Sequence, residues 1–481
     1  MARPLDAPGR HAARAGEAAR APLPAGARPL SAAQLLIWHA ETLRRGTPRW
    51  TQEGVTTLDG PVDRSRLEGA LASAVAAHPA LRTCVLRRGR TAWQVFHDAA
   101  GFAVGWHDFS ALPAQAREQR VGEFLAAAER HCFRLYDGWL FSADVLVCTP
   151  DRALLVLLLH HIAADGMSFP LILRHVASAY RGEAAAAEPD PAYERWLDRQ
   201  ARPDLNPALG RALEFYRGEL AGAPRWHESL YDSDAAGVPR EPPDLPRSTR
   251  LLEPALVAGL SRLAERTAAT LFIVCLAAYG AALAEALDAP DLVVGVYVSG
   301  RGGETGLVAM AVNLVLVRLR LDPAADADTL IRAVKEAWRP VRRFEAAPIH
   351  DLRQLARGEA PPAPSTSTPA TSISGADGPA EPGVIPERVQ LAINFLDLRN
   401  TVCDLPGVAS RTTHPQSAFP LNDLLLLLFR EQNGLHPRLI NGSGTPRLSA
   451  ARLDGLLGTL DALLRRWGAT PEPGPVPPAL E

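Results

Sequence analysis

The chain has 481 residues, 47% of them apolar, and 51 basic against 53 acidic side chains leave a net charge of −2. That length and apolar content provide for two domains or one double-lobed domain. The interspersed, near-balanced charge excludes a nucleic-acid binder built on a basic patch and gives no reason for a membrane surface.

The five cysteines, Cys84, Cys132, Cys148, Cys275 and Cys403, are dispersed and form no CxxC pair. They read as buried thiols in a reducing compartment, not as a disulfide frame or a zinc site. Residues 1–29 are rich in Ala, Arg, Pro and Gly without the apolar run of a secretory signal, and read as a disordered tail. A cytoplasmic protein is expected.

Along the chain, "LSAAQLLIWHAETL" reads as a helix capped by Ser31, with Gln34 at the capping-box spacing. In "RSRLEGALASAVAAHPALRTCVL" the residues Leu67, Leu71 and Val75 recur at helical spacing, Pro79 ends the helix, and a strand starts near Leu81. A strand is expected over 92–97, and a helix in "AREQRVGEFLAAAERHCF". Strands 139–148 and 153–161 are separated by Thr149-Pro150-Asp151-Arg152, a hairpin signal. A helix follows in "MSFPLILRHVASAYRG". Residues 183–192 are Ala- and Pro-rich and are read as a linker between a lobe at 30–182 and a lobe at 193–470.

Past the linker, "AYERWLDRQ" and "ALGRALEFYRGELAGAP" are helical. Residues 248–287 give a strand start and two helices. Ala268 to Ala284 is uncharged, but it is short for a membrane span, mostly alanine, and broken by Gly280, so it reads as a buried helix. "DLVVGVYVSGR" and "MAVNLVLVRLRL" are strands, and "ADTLIRAVKEAWRPVRRF" is an amphipathic helix. Residues 358–387 read as a mobile loop. "RVQLAINFLDL" and "LNDLLLLLFRE" are strands, "SAARLDGLLGTLDALLRRWG" is the last helix, and 471–481 is a tail. Helices mixed with mostly antiparallel strands make the fold class α+β.

The chemistry concentrates in "LLVLLLHHIAADGMSF" (154–169). An apolar strand runs into His160 and His161, and the chain turns back at Asp165-Gly166. On a strand the two histidines point to opposite faces, which disfavours one metal held by both, and no third ligand stands at zinc spacing. A histidine at a strand end facing a cavity suits acid–base chemistry near neutral pH. Asp165 would orient a ring or pair with a basic residue to fix the turn, and Gly166 would admit a close approach.

"HHIAADG" fits HHxxxDG and resembles the signature of the condensation-domain superfamily of nonribosomal peptide synthetases, relatives of chloramphenicol acetyltransferase. Other stretches are similar to the family's motifs in the same order: "SAAQLLIW" (31–38), "HPALRT" (78–83), "YERW" (193–196), "VVGVYVSGR" (293–301), "MAVNLVLVRLRL" (310–321), "APIHDLRQL" (347–355) and "INFLD" (393–397). The resemblance implies two acetyltransferase-like αβ lobes in a V with a tunnel between them. It implies His161 as the catalytic histidine, His160 as mostly structural, Asp165 paired with Arg301 to hold the turn, Gly166 with its N–H near the reacting carbonyl, and Asn394 as a channel residue. No bound cofactor or metal is implied. The donor would arrive on the phosphopantetheine of a carrier protein in trans, or on CoA, and meet a small-molecule amine or alcohol; a stand-alone monomer is expected.

The pattern also departs from the family's. Phe344-Glu345-Ala346-Ala347 stands where the HQD portion of a helix motif would be, Asn313 lies in "NLVLVR" and not "NTLPLR", and Val296-Tyr297 replaces a Thr-Pro-like pair. These departures put a peptide-forming substrate class in question. The alternatives are a CoA-dependent acyltransferase, an epimerisation-type domain and a non-catalytic carrier-recruiting module. Elsewhere, "GRGGETG" (300–306) reads as a turn and not a phosphate loop, and no GxSxG elbow occurs. Trp38, Trp93, Trp139, Trp196, Trp226 and Trp338 are assigned to packing, Arg342 and Arg343 to a solvated helix face, and His350 and His414 to the surface or loops.

Overall fold

A computed structural model describes residues 23–43, 50–88, 91–136, 138–183, 191–200, 207–224, 226–232, 244–356, 389–399, 401–413 and 422–469. The expected loop 358–387, the tail 471–481, His414 and most of the expected linker lie outside the described residues.

In the first half, β1 (Arg28–Pro29), α1 (Ala32–Leu43), β2 (Thr51–Asp59), α2 (Arg64–Ala77), β3 (Thr83–Arg88), β4 (Thr91–Phe96), β5 (Gly105–Asp108), α3 (Ala114–Glu129), β6 (Phe141–Thr149), β7 (Arg152–His160) and α4 (Ser168–Tyr180) follow in order. The second half runs through α5 (Pro191–Gln200), α6 (Pro207–Glu219), β8 (Arg247–Thr249), α7 (Pro254–Arg266), α8 (Leu271–Leu287), β9 (Asp291–Val298), β10 (Asn313–Arg320), α9 (Ala327–Val341) and α10 (Ile349–Ala356). It closes with β11 (Leu391–Asp397), β12 (Ala409–Thr413), β13 (Leu424–Glu431), β14 (Gly434–Asn441) and α11 (Ala450–Gly468).

The local signals act as their chemistry dictates. Ser31 and Gln34 form a reciprocal capping box: the Gln34 N–H donates to Ser31 Oγ at 3.3 Å and the Ser31 N–H donates to Gln34 Oε1 at 2.9 Å. Asp63, Thr270, Asp326 and Ser449 cap α2, α8, α9 and α11 through their side-chain oxygens. The strand expected near Leu81 starts at Thr83, because Pro79–Arg82 first forms a 3₁₀ turn.

Among the described residues three sheets result, ordered β1-β4-β3, β12-β2-β7-β6-β5 and β10-β9-β11-β13-β14-β8. Most pairs are antiparallel, but β11 pairs in parallel with both neighbours and β5 in parallel with β6. The five-stranded sheet is buried on both faces. Leu155, Leu157 and Leu159 of β7 pack with Leu71 and Val75 of α2 and Ile172 and Val176 of α4. Val156 and Leu158 face Phe124, Leu125 and Ala128 of α3. The six-stranded sheet packs α7, α8, α9 and α11 on one face, and α6 and α10 on the β9–β10 end of the other.

The second half lends segments to the first. Strand β12 leaves the second half and pairs with β2, placing Thr412 opposite Thr56. Tyr193 and Trp196 of α5, together with Leu307, Val308, Ala309, Cys403 and Leu405, pack into the first half's core. α8 is buried over most of its length. Among the described residues no single helix is long and apolar enough to cross a membrane, and α7 and α8, apolar enough together, meet at 98°.

Three packing expectations are corrected. Trp226 is 43% exposed, because it stacks on Tyr231 and donates its indole N–H to Glu228 at the surface. His350 is buried, since α10 lies against α6 and α1. Cys132 is only half-buried, whereas the other four cysteines are buried; all five are free thiols.

Candidate active site

β7 delivers the histidines. The strand ends at His160, whose N–H donates to Leu140 O at 2.8 Å, and His161 begins the turn, with its N–H on Trp50 O at 2.7 Å. Only His160 is therefore in the strand. It is buried on the α3 side, edge-on to Phe133. Its Nδ1 accepts the N–H of Ile162 at 3.1 Å. A backbone donor there requires a lone pair on Nδ1, so the neutral ring carries its proton on Nε2. Burial, then the neighbouring His161 and His131, push its pKa down to about 3. A ring so held takes up no proton near neutral pH.

His161 is half-buried and edge-on to Trp50, with ring centroids 6.3 Å apart. Burial lowers its pKa from the ordinary histidine value, and the Asp165 carboxylate and the backbone at His161 and Ala164 pull the other way. The imidazole is thus neutral at physiological pH and available as a base.

The turn is locked by a buried ion pair. Arg301 Nη2 donates to Asp165 Oδ1 at 2.6 Å and Nη1 to Oδ2 at 3.1 Å, the bidentate fork that guanidinium and carboxylate favour. The Ala311 N–H also donates to Oδ2 at 3.1 Å, and Ser168 Oγ to Oδ1 at 3.3 Å. Arg301 Nε is satisfied by Leu307 O at 3.0 Å. Both charges are therefore hydrogen-bonded on several sides, as burial demands. Ser168 and the backbone of 307–311 belong to this arrangement and were not singled out from the sequence.

Gly166 lies at the boundary between the halves. A Cβ built on it would come 3.7 Å from Leu396 Cδ1, and its φ is not in the left-handed region, so neither strain nor a clash demands glycine there. Asn394 shares a face of β11 with Leu396 by strand alternation, which sets it on the side of the sheet that meets the turn. Asn313 does not join the site: its amide donates to Glu345 O and Ala347 O and accepts the Ile349 N–H, tying β10 to the start of α10. Tyr297, which with Val296 departs from the family's Thr-Pro-like pair, donates its hydroxyl to Asn422 Oδ1 at 2.7 Å. Among the described residues no group of three or more His, Cys, Asp or Glu side chains could hold a metal ion.

The chain that builds this histidine turn and its buried carboxylate–guanidinium fork belongs to the condensation-domain family, whose profile matches residues 25–361. Over 302 residues the chain is 33% identical to CymA of Salinispora arenicola, described as a "probable non-canonical nonribosomal peptide synthetase", an alignment covering 60% of this chain and 4% of that protein. It is 26% identical to the isonitrile lipopeptide synthase of Mycobacterium tuberculosis, covering 93% of this chain and 19% of that protein. The chain thus spans less than a fifth of the length of these two relatives.

Among solved structures, the first condensation domain of the calcium-dependent antibiotic synthetase, in complex with a substrate analogue, superposes with a TM-score of 0.72 at 20% identity over 93% of this chain and 97% of that one. The starter condensation domain of rhizomide synthetase, in a variant complexed with C8-CoA and Leu-SNAC, superposes with a TM-score of 0.70 at 19% identity over 92% and 94%. These likenesses establish the α+β fold.

Proposed function

We propose that the chain catalyses acyl transfer, joining an acyl or peptidyl group carried as a thioester to an amine or alcohol. The observation that supports this most is His161: a half-buried, neutral imidazole directly after the buried end of β7 and four residues before the Asp165 anchor. In this reading the acceptor's N–H or O–H meets the imidazole and attacks the thioester carbonyl. His161 accepts the proton as the new C–N or C–O bond forms. The Gly166 N–H lies beside the developing oxyanion. Collapse breaks the C–S bond, and the thiolate leaves with the proton from His161. His160, Asp165 and Arg301 hold the turn, and Asn394 lines the acceptor or donor path from β11.

The donor thioester is carried on the phosphopantetheine of a carrier protein or on CoA. The complex of the rhizomide starter domain with C8-CoA favours including CoA thioesters among the donors. The test offers acyl-CoA and acyl-carrier donors to the chain with panels of amines and alcohols, and reads the products by mass spectrometry. An amide or ester that disappears with His161→Ala supports the proposal. The same product formed at an unchanged rate by that variant overturns it.

A further inference from the structure

We propose that Gln34 is a positioning residue for His161, acting through the carbonyl of Ile162. This inference rests on the reading of His161 as the acting base.

Gln34 is fully buried, and both ends of its amide are committed. Its Oε1 accepts the Ser31 N–H at 2.9 Å, and its Nε2 donates to Ile162 O at 2.9 Å. Ile162 is the residue after His161, and its own N–H is held by His160 Nδ1. The peptide units flanking Ile162 are therefore fixed on one side by His160 and on the other by Gln34. The Ser31 N–H needs an acceptor, and Ile162 O needs a donor. Only a side chain presenting both, at this reach, satisfies the two together, which selects glutamine over glutamate, lysine or methionine.

A second glutamine holds the first. Gln94, also fully buried, donates from Nε2 to Gln34 Oε1 at 3.2 Å and to Pro29 O at 3.0 Å. Its Oε1 accepts the Tyr193 hydroxyl at 2.8 Å, and Gln34 Nε2 lies 3.4 Å from that same oxygen. The pattern fixes the orientation of both amides. It links α1, β4 and α5, which are far apart along the chain, to the carbonyl of the residue that follows His161. Capping α1 requires only Gln34 Oε1; the donor half of the amide makes its shorter bond, 2.9 Å, to the histidine turn and a longer one, 3.4 Å, to Gln94 Oε1.

The test uses two substitutions in the full chain. Gln34→Met keeps the shape and removes both hydrogen-bonding functions. Gln34→Glu keeps the acceptor for Ser31, and it can donate to Ile162 O only while protonated. Histidine-labelled protein is titrated by NMR, with the His161 signal assigned by its loss in His161→Ala, so the readout needs no substrate. In Gln34→Met the His161 titration should move from its wild-type midpoint. In Gln34→Glu it should follow wild type at low pH and depart from it as the introduced carboxyl ionises. Where an acyl donor and acceptor pair is turned over, kcat should fall by about tenfold to a hundredfold with KM for both substrates within about twofold, and in Gln34→Glu the loss should grow with pH.

Should Gln34→Met fail to fold, Gln34→Glu decides alone. A His161 titration identical to wild type in a folded variant, or equal losses through KM, would overturn the positioning role. His161→Ala retaining activity while the titrations shift would instead sink the assignment of His161 as the base.

Discussion

Asp165 and Arg301 stand 136 positions apart in sequence and meet in a two-pronged contact of 2.6 and 3.1 Å, both almost fully buried. One is contributed by the histidine turn and the other by the turn after β9, so the pair fastens the site across the two halves. Removing one partner strands the other charge in a low-dielectric interior, at a cost of about 3–5 kcal/mol. Asp165→Ala and Arg301→Ala should each lower the melting temperature and the activity. The double change Asp165→Leu with Arg301→Met should recover much of the stability without the activity, as thermal melts beside a thioester assay would show. An unchanged melting temperature in either single variant would contradict the pair.

His161 has a pKa below its ordinary value of 6.5, chiefly through burial. In the proposed role as base it must be unprotonated, so the acid limb of kcat/KM is expected below pH 6.5. The measurement is a pH–rate profile with a donor whose own chemistry is flat over that range. A limb at or above pH 6.5 would mean that burial does not govern the ring.

His160 should make stability depend on pH. Its folded pKa lies near 3 against 6.5 for the free ring, so the unfolded chain binds the proton first. Its contribution is intact above pH 6.5 and declines as pH falls from there toward 3. His160→Asn, which offers an oxygen to the Ile162 N–H, should flatten that part of the stability profile. Urea midpoints measured between pH 4 and 7 would reveal the change.

Glu53 works in the opposite direction. It lies buried in β2, and burial, with the charge of Glu129, raises its pKa from 4.5 to about 7. The folded state then holds the proton more tightly than the unfolded one. Stability from this group is full below pH 4.5 and is lost as pH rises through about 7. Glu53→Gln should therefore leave the melting temperature near pH 4.5 almost unchanged and raise stability above pH 7 by up to about 3 kcal/mol.

Gly166 offers a separation of folding from chemistry. An alanine Cβ meets only an ordinary contact with Leu396, so Gly166→Ala should melt with wild type. If substrate uses the open side of this residue, the same variant should turn over more slowly; equal rates would show that no reacting group passes there.

The helices and the strands that carry the site could be read from the sequence because their signals are local: caps at Ser31 and Ser449, the hairpin turn at 149–152, the apolar run into His160. β2 and β14 could not. The stretch "TQEGVTTLD" alternates poorly and holds Gln52, Glu53 and Gly54, and "GLHPRLIN" contains Pro437, yet each pairs with strands on both sides. Their strand character comes from neighbours, which a local pattern does not record. The pairing of Asp165 with Arg301 was legible only through resemblance to a family, because nothing in either residue's surroundings names the other. Gln34 was visible as a cap, whereas its hold on Ile162 depends on a contact across 128 positions.

The path of β12 bears on how this protein could be divided. The strand belongs by sequence to the second half, yet it supplies the outer edge of the sheet that carries the histidines, and Arg181 at the end of α4 reaches Asp404 just ahead of it. A fragment ending at residue 183 would expose the backbone of β2 as an open edge and would leave Leu405 and Val408 missing from its core. Graftable units cut from this chain must therefore be composed by contact instead of by order: residues 401–413 travel with the first half, or the cut is not made there at all.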